Sequence, residues 1–145
     1  MNIKQALKKK NILVNNIKQE YNRLNLYNSI ESGNVRPYSA IQSLDNYLKL
    51  TEELVVLKNA IHKANQPVYE KIFKLSEYKS VVQYLKGLNC TEGKIPGGRW
   101  GESTEARFME VEINIIKKDQ LVAEYEDRIN QIQDELDYFN QITEI

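Results

Sequence analysis

Apolar residues recur at steps of three and four from the start of the chain: Ile3, Ala6, Leu7, Leu13, Val14, Ile17, Tyr21 and Leu24. This is the stripe of an amphipathic helix and predicts one over about residues 2–28. Gly33-Asn34 tolerates positive φ, and Pro37 disfavours helical geometry at Arg36, so a loop separates this helix from the next. Ile41, Leu44, Leu48, Leu54, Val55, Leu57, Ile61 and Ala64 then mark a second stripe over about 38–65. Some 26 helical residues span roughly 40 Å, longer than a compact domain of this size needs, and the expectation is an elongated antiparallel hairpin.

Pro67 suits the first turn of a third helix, where its missing N–H has no intrahelical acceptor to lose. Val68, Ile72, Leu75, Val82, Leu85 and Leu88 carry that helix to about residue 88. The segment 90–103 differs in kind, with four of the six glycines and the only tryptophan. Beyond it, Glu110 to Ile115 alternates polar and β-branched apolar residues, which predicts a strand over about 107–116. A lone strand leaves backbone groups unpaired, so it is expected to form a hairpin with the Gly-rich segment or to pair with another subunit. Leu121, Val122, Tyr125, Ile129, Ile132, Leu136, Phe139 and Ile142 predict a last helix over about 118–142, with Asp119 as its cap. The expected fold is mainly α: a single domain, 1–145, built as a long antiparallel, coiled-coil-like bundle of three to four helices. A short β-strand or hairpin precedes the last helix. The stripes and the strand suggest assembly as a homo-oligomer.

At 145 residues with 41% hydrophobic content, the chain has room for one core. One cysteine, Cys90, and one histidine, His62, exclude an internal disulfide and a Cys/His zinc site within one chain, so no metal or other cofactor is expected. No apolar run is long enough for a membrane span and no leader pattern is visible; a cytoplasmic protein is expected. Fifteen lysines to five arginines, with fifteen isoleucines and fifteen asparagines, suggest AT-rich coding, as in a low-GC bacterium or its phage.

The formal charge is zero, which argues against general nucleic-acid binding. Its distribution is uneven, however. Residues 1–25 hold six basic side chains against one acid, and residues 105–145 hold four against eleven. Lys8-Lys9-Lys10 suggests phosphate docking, while the plainer alternative is that the basic first helix packs along the acidic last helix, within or between chains. Nine tyrosines against three phenylalanines suit interfaces and clefts, although Tyr21, Tyr47 and Tyr125 also fit the edges of the core stripes.

Two stretches resemble a small family of bacterial helical proteins described as septicolysin-like. They are the opening Ile3-Lys-Gln-Ala-Leu-Lys-Lys-Lys-Asn-Ile-Leu13 and the closing Gln133-Asp-Glu-Leu-Asp-Tyr-Phe-Asn140 with Thr143-Glu-Ile145. Gln141 stands where the family pattern has tryptophan, and the Gly-rich loop has no counterpart in that pattern. The resemblance implies a helical, coiled-coil-like fold and no particular activity.

Catalysis finds little support in these residues. His62 lies one step from the apolar Ile61, Cys90 has no basic neighbour closer than Lys86 and Lys94, and no Glu-x-x-His bundle metal signature occurs. The chain is expected not to be an enzyme. The candidate ligand site is the Gly93–Gly101 loop: Gly97 and Gly98 allow backbone amides to approach an anion, Lys94 and Arg99 supply charge, and Trp100 offers a stacking face. Arg107 adds a third cation, with Tyr69 or Tyr78 as further stacking partners. This chemistry suits a phosphate-bearing, nucleotide-like molecule, although the spacing is neither a P-loop nor a dinucleotide fingerprint. The functional expectation is an oligomeric, non-catalytic binding protein, a phage-type sponge that sequesters a nucleotide immune signal. The alternatives are a coiled-coil scaffold or adaptor that binds another protein through its helices, and a hairpin loop with only a structural role.

Overall fold

A computed structural model of the chain describes residues 1–97 and 106–145. The fold is mainly α, with four α-helices and a short two-stranded antiparallel sheet before the last of them. Residues Met1–Tyr69 and Leu136–Ile145 form one compact unit, and Glu70–Glu135 form a second.

In the first unit, α1 (Ile3–Tyr27) and α2 (Ala40–Ala64) form an antiparallel hairpin. Helix α1 starts at a capping box: the Asn2 side chain accepts from the Gln5 N–H at 2.9 Å, and the Gln5 side chain accepts from the Asn2 N–H at 3.0 Å. At its other end the Arg36 guanidinium donates to the carbonyls of Tyr27 (2.8 Å) and Asn28 (3.1 Å), groups a helix terminus leaves unpaired. Ser39 then caps α2, accepting from the Gln42 N–H. The loop 31–37 therefore does more than connect, because its arginine closes one helix as the serine after it opens the next.

The seam between the two helices has the 3-4 spacing of a coiled coil. On α1 it runs Ile3, Ala6, Lys10, Leu13, Ile17, Glu20, Leu24, Tyr27; on α2 it runs Ala40, Ser43, Tyr47, Leu50, Leu54, Leu57, Ile61. Every one of these positions is buried or half-buried. Ala6, Leu13, Leu57 and Ile61 form the buried cluster, with Leu7, Leu50 and Leu54 packed against it. Towards the loop, aromatic pairs take over: Tyr21 against Tyr47 with ring centroids 5.9 Å apart, and Tyr27 against Tyr38 at 5.8 Å. The end of the last helix closes the unit. Asn2 and Glu144 form a β-bridge, Ile3 N–H donates to the Thr143 carbonyl at 3.0 Å, and Leu136 is buried.

A 3-10 turn, Gln66–Val68, holds Pro67 as expected and leads into α3 (Tyr69–Lys86). In the second unit α3 pairs with α4 (Ile115–Ile142), again on 3-4 spaced positions: Leu75, Tyr78, Val82 and Leu85 against Val122, Tyr125, Ile129 and Ile132. The Tyr78 and Tyr125 rings meet edge to face at 5.2 Å. Lys71–Glu135 (2.7 Å) and Lys86–Glu126 (3.0 Å) flank the seam.

Strands β1 (Gly93–Ile95) and β2 (Arg107–Met109) pair within the chain, in the register Gly93 to Met109, Lys94 to Phe108 and Ile95 to Arg107. The strand expected over 107–116 is thus three residues long and needs no second subunit. Its continuation is overturned by a helix start. The Asn114 side chain accepts from the Lys117 N–H at 2.9 Å and its carbonyl from the Lys118 N–H, so Ile115 and Ile116 belong to α4. Asn114, rather than Asp119, is the cap, and α4 begins near 115 rather than 118.

Truncating the seam should cost far more than truncating the loop. At fixed protein concentration, urea unfolding of Leu57→Ala is expected to show a loss of about 2–4 kcal/mol. Val35→Ala, exposed in the loop, should stay within about 0.5 kcal/mol of the parent. Equal losses would contradict the seam.

Candidate functional site

The six residues marked in the sequence divide between described and undescribed positions. Lys94, Gly97 and Arg107 are described; Gly98, Arg99 and Trp100 lie outside the described residues. The register of the ribbon bears directly on the first group. Residues opposite each other in an antiparallel pair share a face, and successive residues alternate. Lys94 therefore shares a face with Phe108, while Arg107 shares the other with Ile95. The two cations at the root of the loop point to opposite sides. Gly93 has φ 89°, the positive-φ conformation glycine accommodates, where it leads into the ribbon. The tyrosines considered as stacking partners are engaged elsewhere: Tyr78 with Tyr125, and Tyr69 with His62.

His62 has a structural partner. The Tyr69 hydroxyl donates to the His62 carbonyl at 2.9 Å and also meets His62 Nδ1, which ties the last turn of α2 to the first residue of α3 across the 3-10 turn. Cys90 is half-buried. Among the described residues no group of three or more His, Cys, Asp or Glu side chains is placed to hold a metal ion. Lys8, Lys9 and Lys10 do not form one patch, because consecutive helical residues are about 100° apart. Lys10 enters the seam, Lys9 lines a groove, and Lys8 stays exposed.

Two concave sites lie elsewhere among the described residues. The first is a groove of about 800 Å³ along one side of the α1/α2 hairpin. Leu13, Val56, Leu57 and Ala60 line it, Met1 and Ile145 contribute at the end where the chain termini meet, and Lys9, Lys49, Glu52 and Glu53 supply charge of both signs. The second, about 300 Å³, lies between α3 and α4, where Lys71, Lys74 and Arg128 converge near Tyr78. Each of these cations already has a carboxylate: Glu135, Glu70 and Glu124 at 2.7, 2.7 and 2.6 Å. Arg128 also sits 4.8 Å from the centre of the Tyr125 ring. The ion pairs perturb their members in the expected sense. The Lys71 hydrogen bond and charge hold Glu135 below the usual carboxylate range, Lys74 does the same to Glu70, and Glu70 raises Lys74.

Sequence reasoning merged two series on α2 and so did not separate its buried seam from its exposed apolar positions. The seam occupies 40, 43, 47, 50, 54, 57 and 61, and an apolar series one residue further on occupies 41, 44, 48 and 55. Both have 3-4 spacing, and together they read as one broad stripe. No protein-family model, curated protein or solved structure matches the chain, so the septicolysin-like resemblance stands on its two sequence stretches alone. Among the described residues no helix is long and apolar enough to cross a membrane.

A carboxylate whose folded value is lowered stabilises the fold above its unfolded value, near 4.3 for glutamate, and that contribution is lost as pH falls through the folded value. Acidification from about pH 5 to 3 should therefore lower the melting temperature in part through Glu135 and Glu70. Both pairs are exposed, so the effect is small and should vanish in about 1 M salt, where the Debye length is about 3 Å. Glu135→Gln should reduce the slope of melting temperature against pH in this window; an unchanged slope at low salt contradicts the assignment.

Proposed function

We propose that the protein is a non-catalytic helical adaptor of the cytoplasm that works as an oligomer and binds a partner protein through the faces of its α1/α2 hairpin. The observation that carries this reading is the 800 Å³ groove beside the seam. A groove with an apolar floor of Leu13, Val56, Leu57 and Ala60 suits one amphipathic helix laid along it, with apolar anchors at i, i+3, i+4 and i+7. Lys9 and Lys49 on one hand, and Glu52 and Glu53 on the other, would select a partner helix carrying both signs of charge.

A second reading keeps the Gly-rich loop as a site for a phosphate-bearing, nucleotide-like molecule, and so as a sponge that withdraws such a signal. Its support is that the ribbon joins the two ends of the segment, with Arg107 exposed at the root. The placement of Lys94 and Arg107 on opposite faces weighs against one chain gathering both around a single phosphate, which is why the helical reading is preferred.

The two separate cleanly. With a photo-crosslinking residue at Val56, the adaptor reading expects one defined protein partner from the source cells, lost in Ala60→Glu and retained in Arg99→Ala. Native mass spectrometry against linear and cyclic nucleotides should show nothing retained. A nucleotide held in fixed ratio to subunits and lost in Arg99→Ala, with no partner at Val56, overturns the adaptor reading in favour of the sponge.

A further inference from the structure

On the side of the hairpin away from the groove, Tyr21 of α1 and Ile41, Leu44, Leu48 and Val55 of α2 are exposed, and Val14 is half-buried beside them. Ile41 is 77% exposed, Val55 56%, Leu48 52% and Tyr21 50%. Antiparallel coiled-coil geometry explains why they share a side. Lys9, Glu53 and Ala60, each just before a seam residue, meet in the groove on one flank. Val14, Tyr21 and Leu44, each just after one, consequently meet on the other. Ile41, Leu44, Leu48, Thr51 and Val55 repeat the 3-4 spacing of a helix-packing seam, a pattern that scattered surface apolar residues lack.

The charges at the two edges of this face differ in sign. The edge of α1 carries Lys18; the edge of α2 carries Asp45, and Glu52, which also borders the groove, lies at the back of the helix beside it. The pairing of Tyr21 with Tyr47 sets the level along the hairpin and places Lys18 at about residue 50, between the two acids. All three side chains are exposed. A face with one basic edge and one acidic edge is complementary to itself when a two-fold axis runs parallel to the helices. That operation lays α1 of one copy antiparallel on α2 of the other, which puts Lys18 near Asp45 twice. An axis across the helices would instead set α1 on α1, with lysine edge against lysine edge.

We propose that this face docks a second copy of the chain, forming an all-antiparallel four-helix bundle in which Leu48 and Val55 pack against Val14 and Tyr21 of the partner copy. The inference deepens the oligomeric part of the adaptor reading and uses the opposite side of the hairpin, so partner capture at Val56 and self-association fail independently. The exposed portion of the face extends over about 14 residues of rise, about 21 Å, and points to an association in the micromolar range.

Sedimentation velocity on the full chain from about 5 to 200 µM tests it. The expected result is a monomer–dimer equilibrium that Leu48→Glu weakens at least tenfold with helicity by circular dichroism unchanged. Lys18→Glu and Asp45→Lys should each weaken it, and combining them should restore most of the loss. A wild-type monomer throughout the range overturns the proposal. So does a dimer indifferent to Leu48→Glu, or one broken by both charge reversals without rescue in the combination.

Discussion

The structure depends on one narrow interaction, the 3-4 spaced seam between two antiparallel helices. A pair of helices buries only the residues that point at each other. In the first hairpin the buried cluster amounts to Ala6, Leu13, Leu57 and Ile61, extended by tyrosine pairs towards the loop. Leu44, Leu48 and Val55 on one side and Val56 on the other are therefore exposed although their chemistry is that of a core. The binding we propose at these faces rests on the same constraint that shapes the fold.

The ends of the elements show how local chemistry sets the limits of that seam. Asn2 and Ser39 open α1 and α2, Arg36 closes α1, and Asn114 opens α4. The terminal residues of the chain add a β-bridge between Asn2 and Glu144, which keeps the last turn of α4 beside the first turn of α1. The acidic last helix therefore reaches the basic first helix by its end. Its described inter-helix ion pairs in the second unit, to Lys71 and Lys86, are made with α3.

The long helices were legible because a 3-4 stripe sustained over 25 residues has no competing reading. Short patterns were not. Glu110 to Ile115 alternates as a strand does, but six residues are too few to separate a strand from a loop entering a helix, and the Asn114 cap decides for the helix. Register was not legible either. Lys94 and Arg107 look like neighbours in composition, and only the pairing of Ile95 with Arg107 shows that they face apart. Lys8, Lys9 and Lys10 look like a patch for the same reason, although helical rotation sends them in three directions. On α2 the spacing of the exposed series was present in the sequence, offset by one residue from the seam, and was hidden because a single stripe accounted for both.

If the exposed face packs against a second copy, as we propose, stability depends on how much of the protein is present, because association stabilises only the folded state. The most direct measurement is the urea midpoint of the full chain at total concentrations from about 1 to 200 µM. The account predicts that the midpoint rises steadily with concentration. A midpoint constant across that range would mean that the helical faces are surface in their own right, and would contradict it.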